Sequence, residues 1–349
     1  MDNLLPAYDD PLFSILVIII LILIVAVTSL VMGQVKETKK RKTLKHFLSG
    51  FNKNTHLLEI EEMPFEQALI KPLTLLAKAF NNQGEYQKSI NLNLYLIENI
   101  PNFFDKEKIL EQLGHTYLKA GFLKRSESIY LEILHKHPRN INALYDLGIV
   151  YELLHEYDKA IETLEPLRIL GESTKNIKIH LELNKLLDNK QISLAQKVEE
   201  LIRLLQEDFY PYRRIMKALF SLDLSAAWHN IQNEKIHSIL DILWFLPSSN
   251  LNLDIISANE TLNAIYLAKG VVAPLELTIK SNIFAIDTII SVKKSGDSNV
   301  DLLFNYGCEK CKQHFPIAFT RCPKCYAIDA IQIKETLAKK QSQTRYSLL

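Results

Sequence analysis

The sequence predicts a mostly α-helical protein in three parts. These are a single N-terminal transmembrane helix, an α-solenoid of helical repeats and a small C-terminal β module closed around a metal ion. Three observations predict this. Leu12 to Met32 is an uncharged apolar run, small and aromatic residues recur at a fixed spacing from about Pro64, and all four cysteines fall between Cys308 and Cys325. Only 10 glycines and 12 prolines occur in 349 residues, which favours helices over a turn-rich barrel or sandwich.

The N-terminal run reads LFSILVIIILILIVAVTSLVM. As a helix rising ~1.5 Å per residue it spans about 30 Å, the thickness of a bilayer's hydrocarbon core. It has no basic segment before it and no small-residue cleavage site after it, which separates it from a cleaved signal. Residues 12–32 are therefore expected to be a membrane anchor. Asp2, Asp9 and Asp10 precede it, and Lys36, Lys39, Lys40, Arg41, Lys42 and Lys45 follow. The positive-inside bias places the short N-terminus outside and the bulk of the chain in the cytoplasm. The basic segment, within residues 33–63, suits contact with anionic lipid headgroups.

Residues 64–172 carry the repeats. Ala77, Gly114 and Gly148 hold one small-residue position, Phe80, Tyr117 and Tyr151 the following aromatic position, and Pro101 and Pro138 fall where helices must stop. Gly114 and Gly148 are 34 residues apart. The small residues let the paired helix approach, and the aromatics fill the space between helices. No unit buries its apolar face alone, so neighbours stack. The pattern resembles the tetratricopeptide repeat, a helix-turn-helix unit.

From 173 to 294 the repeat fades while helical patterning persists, as expected of degenerate repeats and capping helices. Helices are expected over Ile177–Asn189, Ser193–Leu205, Pro211–Ser221, Ser225–Gln232, Lys235–Phe245 and Leu251–Lys269, whereas Ala273–Lys293 suits either helix or strand. Trp228, Trp244 and Phe245 are expected to be packing residues. The polar break Ser295–Asn299 marks the boundary before the last module.

That module, residues 302–335, holds Cys308-Glu-Lys-Cys311 and Cys322-Pro-Lys-Cys325. Two C-x-x-C pairs ten residues apart can each grip one tetrahedral ion from a tight turn, so Cys308, Cys311, Cys322 and Cys325 are the expected metal ligands. Four thiolates close the coordination shell, which points to structural zinc; iron suits the same four-sulfur site. His314, in the intervening loop, is expected at the surface. Short strands are expected at Phe304–Cys308, Phe315–Cys322 and Ala327–Ile333. Zinc binding, worth about 10–16 kcal/mol apparent in finger peptides, would supply folding energy that so small a core lacks.

Phosphate-loop, dinucleotide, H-E-x-x-H and G-x-S-x-G motifs are absent, so no catalytic residue is expected and the chain reads as a non-enzyme. Glu61-Glu62 and Glu199-Glu200 are adjacent on helices and do not face each other. A net charge of +1 argues against nucleic acid as partner. Lys310, Lys312, Arg321 and Lys324 form a weak basic set diluted by Glu309 and Asp329.

Anchor, basic flank, tetratricopeptide array and C-terminal four-cysteine ribbon together resemble the lipopolysaccharide assembly protein B family of Gram-negative bacteria. The resemblance is sharpest at Cys308-x-x-Cys311-x(10)-Cys322-Pro-x-Cys325, the spacing of that family's rubredoxin-type ribbon. Where the family places Gly after the second cysteine, this chain has Lys312, and only three repeat units are clear where the family carries more. The resemblance implies an inner-membrane adaptor that gathers lipopolysaccharide-synthesis enzymes. It also implies that the membrane protease FtsH is helped to degrade LpxC, the lipid A deacetylase. A general envelope-assembly scaffold is the alternative, and a nucleic-acid-binding zinc-ribbon protein, resting on Lys310, Lys312, Arg321 and Lys324, is a more remote one.

Overall fold

A computed structural model describes residues 65–207, 211–272, 281–296 and 299–340. The expected anchor and basic flank lie outside them, as do Glu61 and Glu62. Among the described residues no helix is long and apolar enough to cross a membrane. The chain divides into two compact units, Met1–Leu170 and Gly171–Leu349.

In the first unit the described helices are α1 (Ile70–Gln83), α2 (Tyr86–Asn99), α3 (Phe103–Lys119), α4 (Leu123–Lys136), α5 (Ile141–Leu153), α6 (Tyr157–Glu162) and α7 (Leu164–Ile169). They pair as helix-turn-helix units. Each unit's turn needs a left-handed residue, supplied by Gly84 (φ 82°), Gly121 (φ 80°) and, in the third unit, His155 (φ 59°). Prolines end the outer helices as expected: α2 stops two residues before Pro101 and α4 two before Pro138. In the third unit the outer helix breaks at Thr163 instead. Pro166 has no N–H to donate and its ring opposes the carbonyl of Glu162, where α6 ends.

The small residues act as the spacing implied. A methyl group on Gly114 would lie 2.8 Å from Cζ of Tyr130, and one on Gly148 would lie 2.8 Å from Oγ1 of Thr163. Ser126 donates to the Gly114 carbonyl at 2.8 Å, tying α4 to α3 at the same point. Tyr130 is fully buried and donates to Asp146 on α5 at 2.6 Å, so its ring cannot swing aside. Gly114→Ala is therefore expected to destabilise the first unit by about 1–3 kcal/mol through overpacking. A urea midpoint unchanged from the parent would show that the α3–α4 contact is looser than this. Tyr117 and Tyr151 are buried, and Phe80 packs partly buried against its unit's core.

The second unit contains α8 (Lys175–Asp188), α9 (Leu194–Leu205), α10 (Tyr212–Leu222), α11 (Leu224–His229), α12 (Leu240–Phe245), α13 (Leu253–Ala258), α14 (Glu260–Lys269) and α15 (Phe284–Lys294). Ser193 caps α9 in a reciprocal box with Gln196. Two long expected helices are broken. Lys235–Phe245 becomes a 3-10 segment (Asn233–Ile239) followed by α12. Leu251–Lys269 splits because Asn252 and Asn259 each cap a new helix, accepting from the N–H of Ile255 and Leu262. The ambiguous stretch resolves in its described part as helix α15.

Trp228 and Trp244 are buried, whereas Phe245 is 64% exposed and leans edge-on against Phe304. Phe245 is thus a rim residue and not part of the core. Three antiparallel strands follow, β1 (Val300–Cys308), β2 (His314–Phe315) and β3 (Ile331–Lys339), in the order β2-β1-β3. The expected strand from Phe315 to Cys322 is nearly absent, because Pro316 offers no donor to extend the two-residue pairing. The third strand begins at Ile331 and not at Ala327, pairing Cys308 with Ile331 through to Val300 with Lys339. Leu302, Phe304 and Tyr306 of β1 enter one core with Trp228, Leu243, Tyr266 and Ile286. Helices and sheet of this unit share that core.

Candidate metal centre

Strand β1 delivers Cys308 at its last residue, and the chain then turns tightly so that Cys311 faces back. The Lys312 N–H donates to the Cys308 carbonyl at 2.8 Å and the Cys308 N–H to the Gln313 carbonyl at 2.9 Å. The second turn repeats this geometry. The Tyr326 N–H donates to the Cys322 carbonyl at 2.9 Å and the Cys322 N–H to the Ala327 carbonyl at 2.8 Å. Each turn needs a left-handed residue after its second cysteine, and Lys312 (φ 58°) and Tyr326 (φ 57°) hold those places. A side chain in that region costs about 1 kcal/mol or more that glycine avoids. Lys312→Gly is expected to stabilise the chain by about 1 kcal/mol. A lower thermal midpoint for this variant would mean that the lysine side chain contributes more than its backbone costs.

The four sulfurs lie within 4.8 Å of one another. Cys308 and Cys325 are 3.7 Å apart, as are Cys311 and Cys322. A tetrahedron with metal–sulfur bonds near 2.3 Å has edges of about 3.8 Å, so the donor set fits a single tetrahedral ion. All four are free thiols. Cys308 and Cys322 are buried, Cys311 is half-buried and Cys325 is exposed.

Burial pushes the Cys308 thiol up. The N–H groups of Cys311 and Lys310 aimed at its sulfur outweigh burial, with neighbouring thiols adding to their effect, and leave it at about 7. Cys322 receives the matching N–H groups of Cys325 and Lys324, yet burial leaves it raised. Cys325 is exposed as a residue, but its sulfur faces the other three, and loss of solvent there, with the neighbouring thiols adding to it, pushes the thiol up to about 12. Backbone donors converging on sulfur stabilise thiolate and therefore a bound cation. His314 is exposed on β2 and is not part of the cluster.

Sequence reasoning missed the polar contacts that fix the cluster's strand to the helices. Tyr306, two residues before Cys308, donates to Asp241 Oδ2 at 2.9 Å. Asp241, on α12, also receives the forked guanidinium of Arg213 at 2.5 and 2.6 Å, and Arg213 donates to the Ser238 carbonyl at 2.9 Å. Burial and the Asp241 carboxylate both push the Tyr306 hydroxyl well above its ordinary range, so it stays a donor. Beyond it, buried His180 lies 2.7 Å from Arg214 and 3.9 Å from Asp329 of the module. The spacing of these residues carries no periodic signal; only the fold makes them neighbours.

Of the basic set, Arg321 is turned inward, donating to the Tyr326 carbonyl at 2.6 Å, and Lys324 reaches Gln313 at 3.3 Å. Glu200 pairs with Arg203 at the surface, as expected of a solvated face.

A tetratricopeptide repeat model matches residues 129–162, which run from within α4 to the end of α6. Over 105 residues, 30% of this chain, the sequence is 28% identical to lipopolysaccharide assembly protein B of Escherichia coli (strain K12), of which 27% is covered. Over 106 residues it is 26% identical to the protein of the same name from Haemophilus influenzae, with 26% of that protein covered. The chain thus spans about a quarter of the length of the curated relatives it matches. It is a tetratricopeptide-type helical repeat protein, similar in part to lipopolysaccharide assembly protein B, with a four-cysteine cluster compatible with a metal ion.

Proposed function

We propose that the chain is a non-enzymatic adaptor of lipopolysaccharide assembly, tethered to the inner membrane by residues 12–32 and facing the cytoplasm. The observation that carries this reading is the joining of tetratricopeptide-type repeats to a four-thiolate module, in a chain whose relatives share that assembly role by name. Repeats of this kind present helix faces to other proteins and offer no reacting group. Tethering confines those faces to the membrane surface, where the effective concentration of other membrane proteins is high. The ion in Cys308, Cys311, Cys322 and Cys325 is read as structural zinc, since the shell is closed by four sulfurs. The partners are read as the lipopolysaccharide-synthesis enzymes and the protease FtsH, with LpxC as client and the basic flank against lipid headgroups.

Depleting the protein in its native cell tests this directly. The deacetylase level and lipopolysaccharide content are expected to rise together, and no change in either would remove the reading. A general envelope-assembly scaffold is the second reading, favoured by the short stretch of similarity. Crosslinking from the anchored protein separates the two by what it captures.

A further inference from the structure

The two cysteine pairs are carried on differently held supports. Cys322 and Cys325 lie in a turn braced from within the module, where Arg321 donates to the Tyr326 carbonyl at 2.6 Å and the Asp329 N–H to the Thr320 carbonyl at 2.8 Å. Cys308 instead ends β1, and β1 is fixed from outside the module. Tyr306 and Cys308 are two residues apart on one strand, so their side chains leave the same face. The Tyr306 hydroxyl reaches Asp241 on α12, which is buried and held in turn by Arg213. Other polar links from helices to module are looser. Buried His180 stands 3.9 Å from Asp329, and exposed His237 meets Glu335 of β3 at 3.2 Å.

Two contacts of the metal centre depend on where β1 ends. The Glu309 N–H donates to the Ala330 carbonyl at 2.8 Å, and Lys310 and Cys311 aim N–H groups at the Cys308 sulfur. A rotation of the last residues of β1 would take Cys308 out of both, and metal–ligand distances hold only within about 0.2 Å. We propose that Tyr306 and Asp241 are positioning residues of the metal centre, through which the helices set how tightly the four thiolates hold their ion. This rests on the structural-metal reading, since it needs an ion in the site. Metal binding draws the end of β1 into its final place, and each contact completed in that step adds to the apparent affinity. The effect is reciprocal. An ion in the site holds Tyr306 on Asp241, and so steadies α12 and the 3-10 segment before it, whose Ser238 carbonyl receives Arg213.

The test uses the full chain in detergent, loaded with zinc or with cobalt(II) as a coloured stand-in. Tyr306→Phe, which alters no ligand, is expected to weaken zinc about fivefold in competition with a chromophoric chelator, the worth of one hydrogen bond. It should also shift the visible d–d bands of cobalt(II). Asp241→Asn, which leaves Arg213 without its carboxylate as well, should weaken zinc further. In the parent, zinc should slow amide hydrogen exchange across residues 233–245, and Tyr306→Phe should lose most of that protection. Leu201→Val is the control, because Leu201 is fully buried in the same core but sits on α9, outside this contact. It should lower the urea midpoint while leaving the cobalt(II) bands and the zinc-dependent protection as in the parent. Zinc affinity and cobalt(II) bands indifferent to Tyr306→Phe, or moved equally by Leu201→Val, would overturn the proposal. A chain that retains no zinc would remove the structural-metal reading and the proposal with it. One ion held tightly but indifferently to Tyr306 would leave that reading standing and overturn the proposal alone.

Discussion

Stripping the metal, or replacing Cys322 with Ala, is expected to unfold the C-terminal module and loosen the helical core beside it. Structural zinc contributes about 10–16 kcal/mol apparent in finger peptides, more than the whole stability of a typical domain at about 5–15 kcal/mol. Cys322 is fully buried, so Ala removes a ligand and leaves three thiols without their cation. The readout is built in. The chain has 2 tryptophans, and both Trp228 and Trp244 lie in the core that β1 completes. Chelation should shift tryptophan emission to the red and abolish its cooperative thermal change, while the helical circular dichroism of the first unit persists. Unmoved emission after verified metal loss would show that the helices hold the sheet without it.

Asp241→Ala carries the second largest expected effect, a loss of about 3–5 kcal/mol in the same unit. The carboxylate is almost wholly buried and holds two donors at once, the Arg213 fork and the Tyr306 hydroxyl. Removing it strands a mostly buried guanidinium and a buried phenol. Tyr306→Phe removes only one donor and leaves the ion pair intact, so about 1 kcal/mol is expected. Urea titrations followed by tryptophan fluorescence compare the two. A cost for Asp241→Ala no larger than for Tyr306→Phe would mean that water reaches Arg213 and replaces the carboxylate.

The repeats and the four-cysteine cluster were legible in the sequence because both obey short-range rules. Helical periodicity repeats at fixed intervals, and a C-x-x-C turn is local enough for spacing alone to specify it. Element breaks were harder. Asn252 and Asn259 act as caps only where the chain has already left the helix, and inside an apolar run they read as ordinary polar positions. Strand β3, IQIKETLAK, is rich in residues that suit a helix as well as a strand, and it is a strand because β1 supplies its hydrogen-bonding partner. Phe245 looked like core by composition, yet α12 is only six residues long and turns it outward. The Tyr306–Asp241–Arg213 contact joins positions 65 and 28 residues apart, a distance over which pattern has no reach.

Strand β1 also sets the timing of folding. The core it closes begins at Leu183, and Tyr306 is 123 residues further along the chain. At about 5–20 residues per second during synthesis, Leu183 waits roughly 6–25 s, and Trp228, 78 residues before Tyr306, roughly 4–16 s, without final cover. During that interval they present the apolar surface that chaperones and proteases recognise. The cell therefore meets this half of the protein first as exposed apolar helices and only later, once strand β1 is in place, as a closed fold.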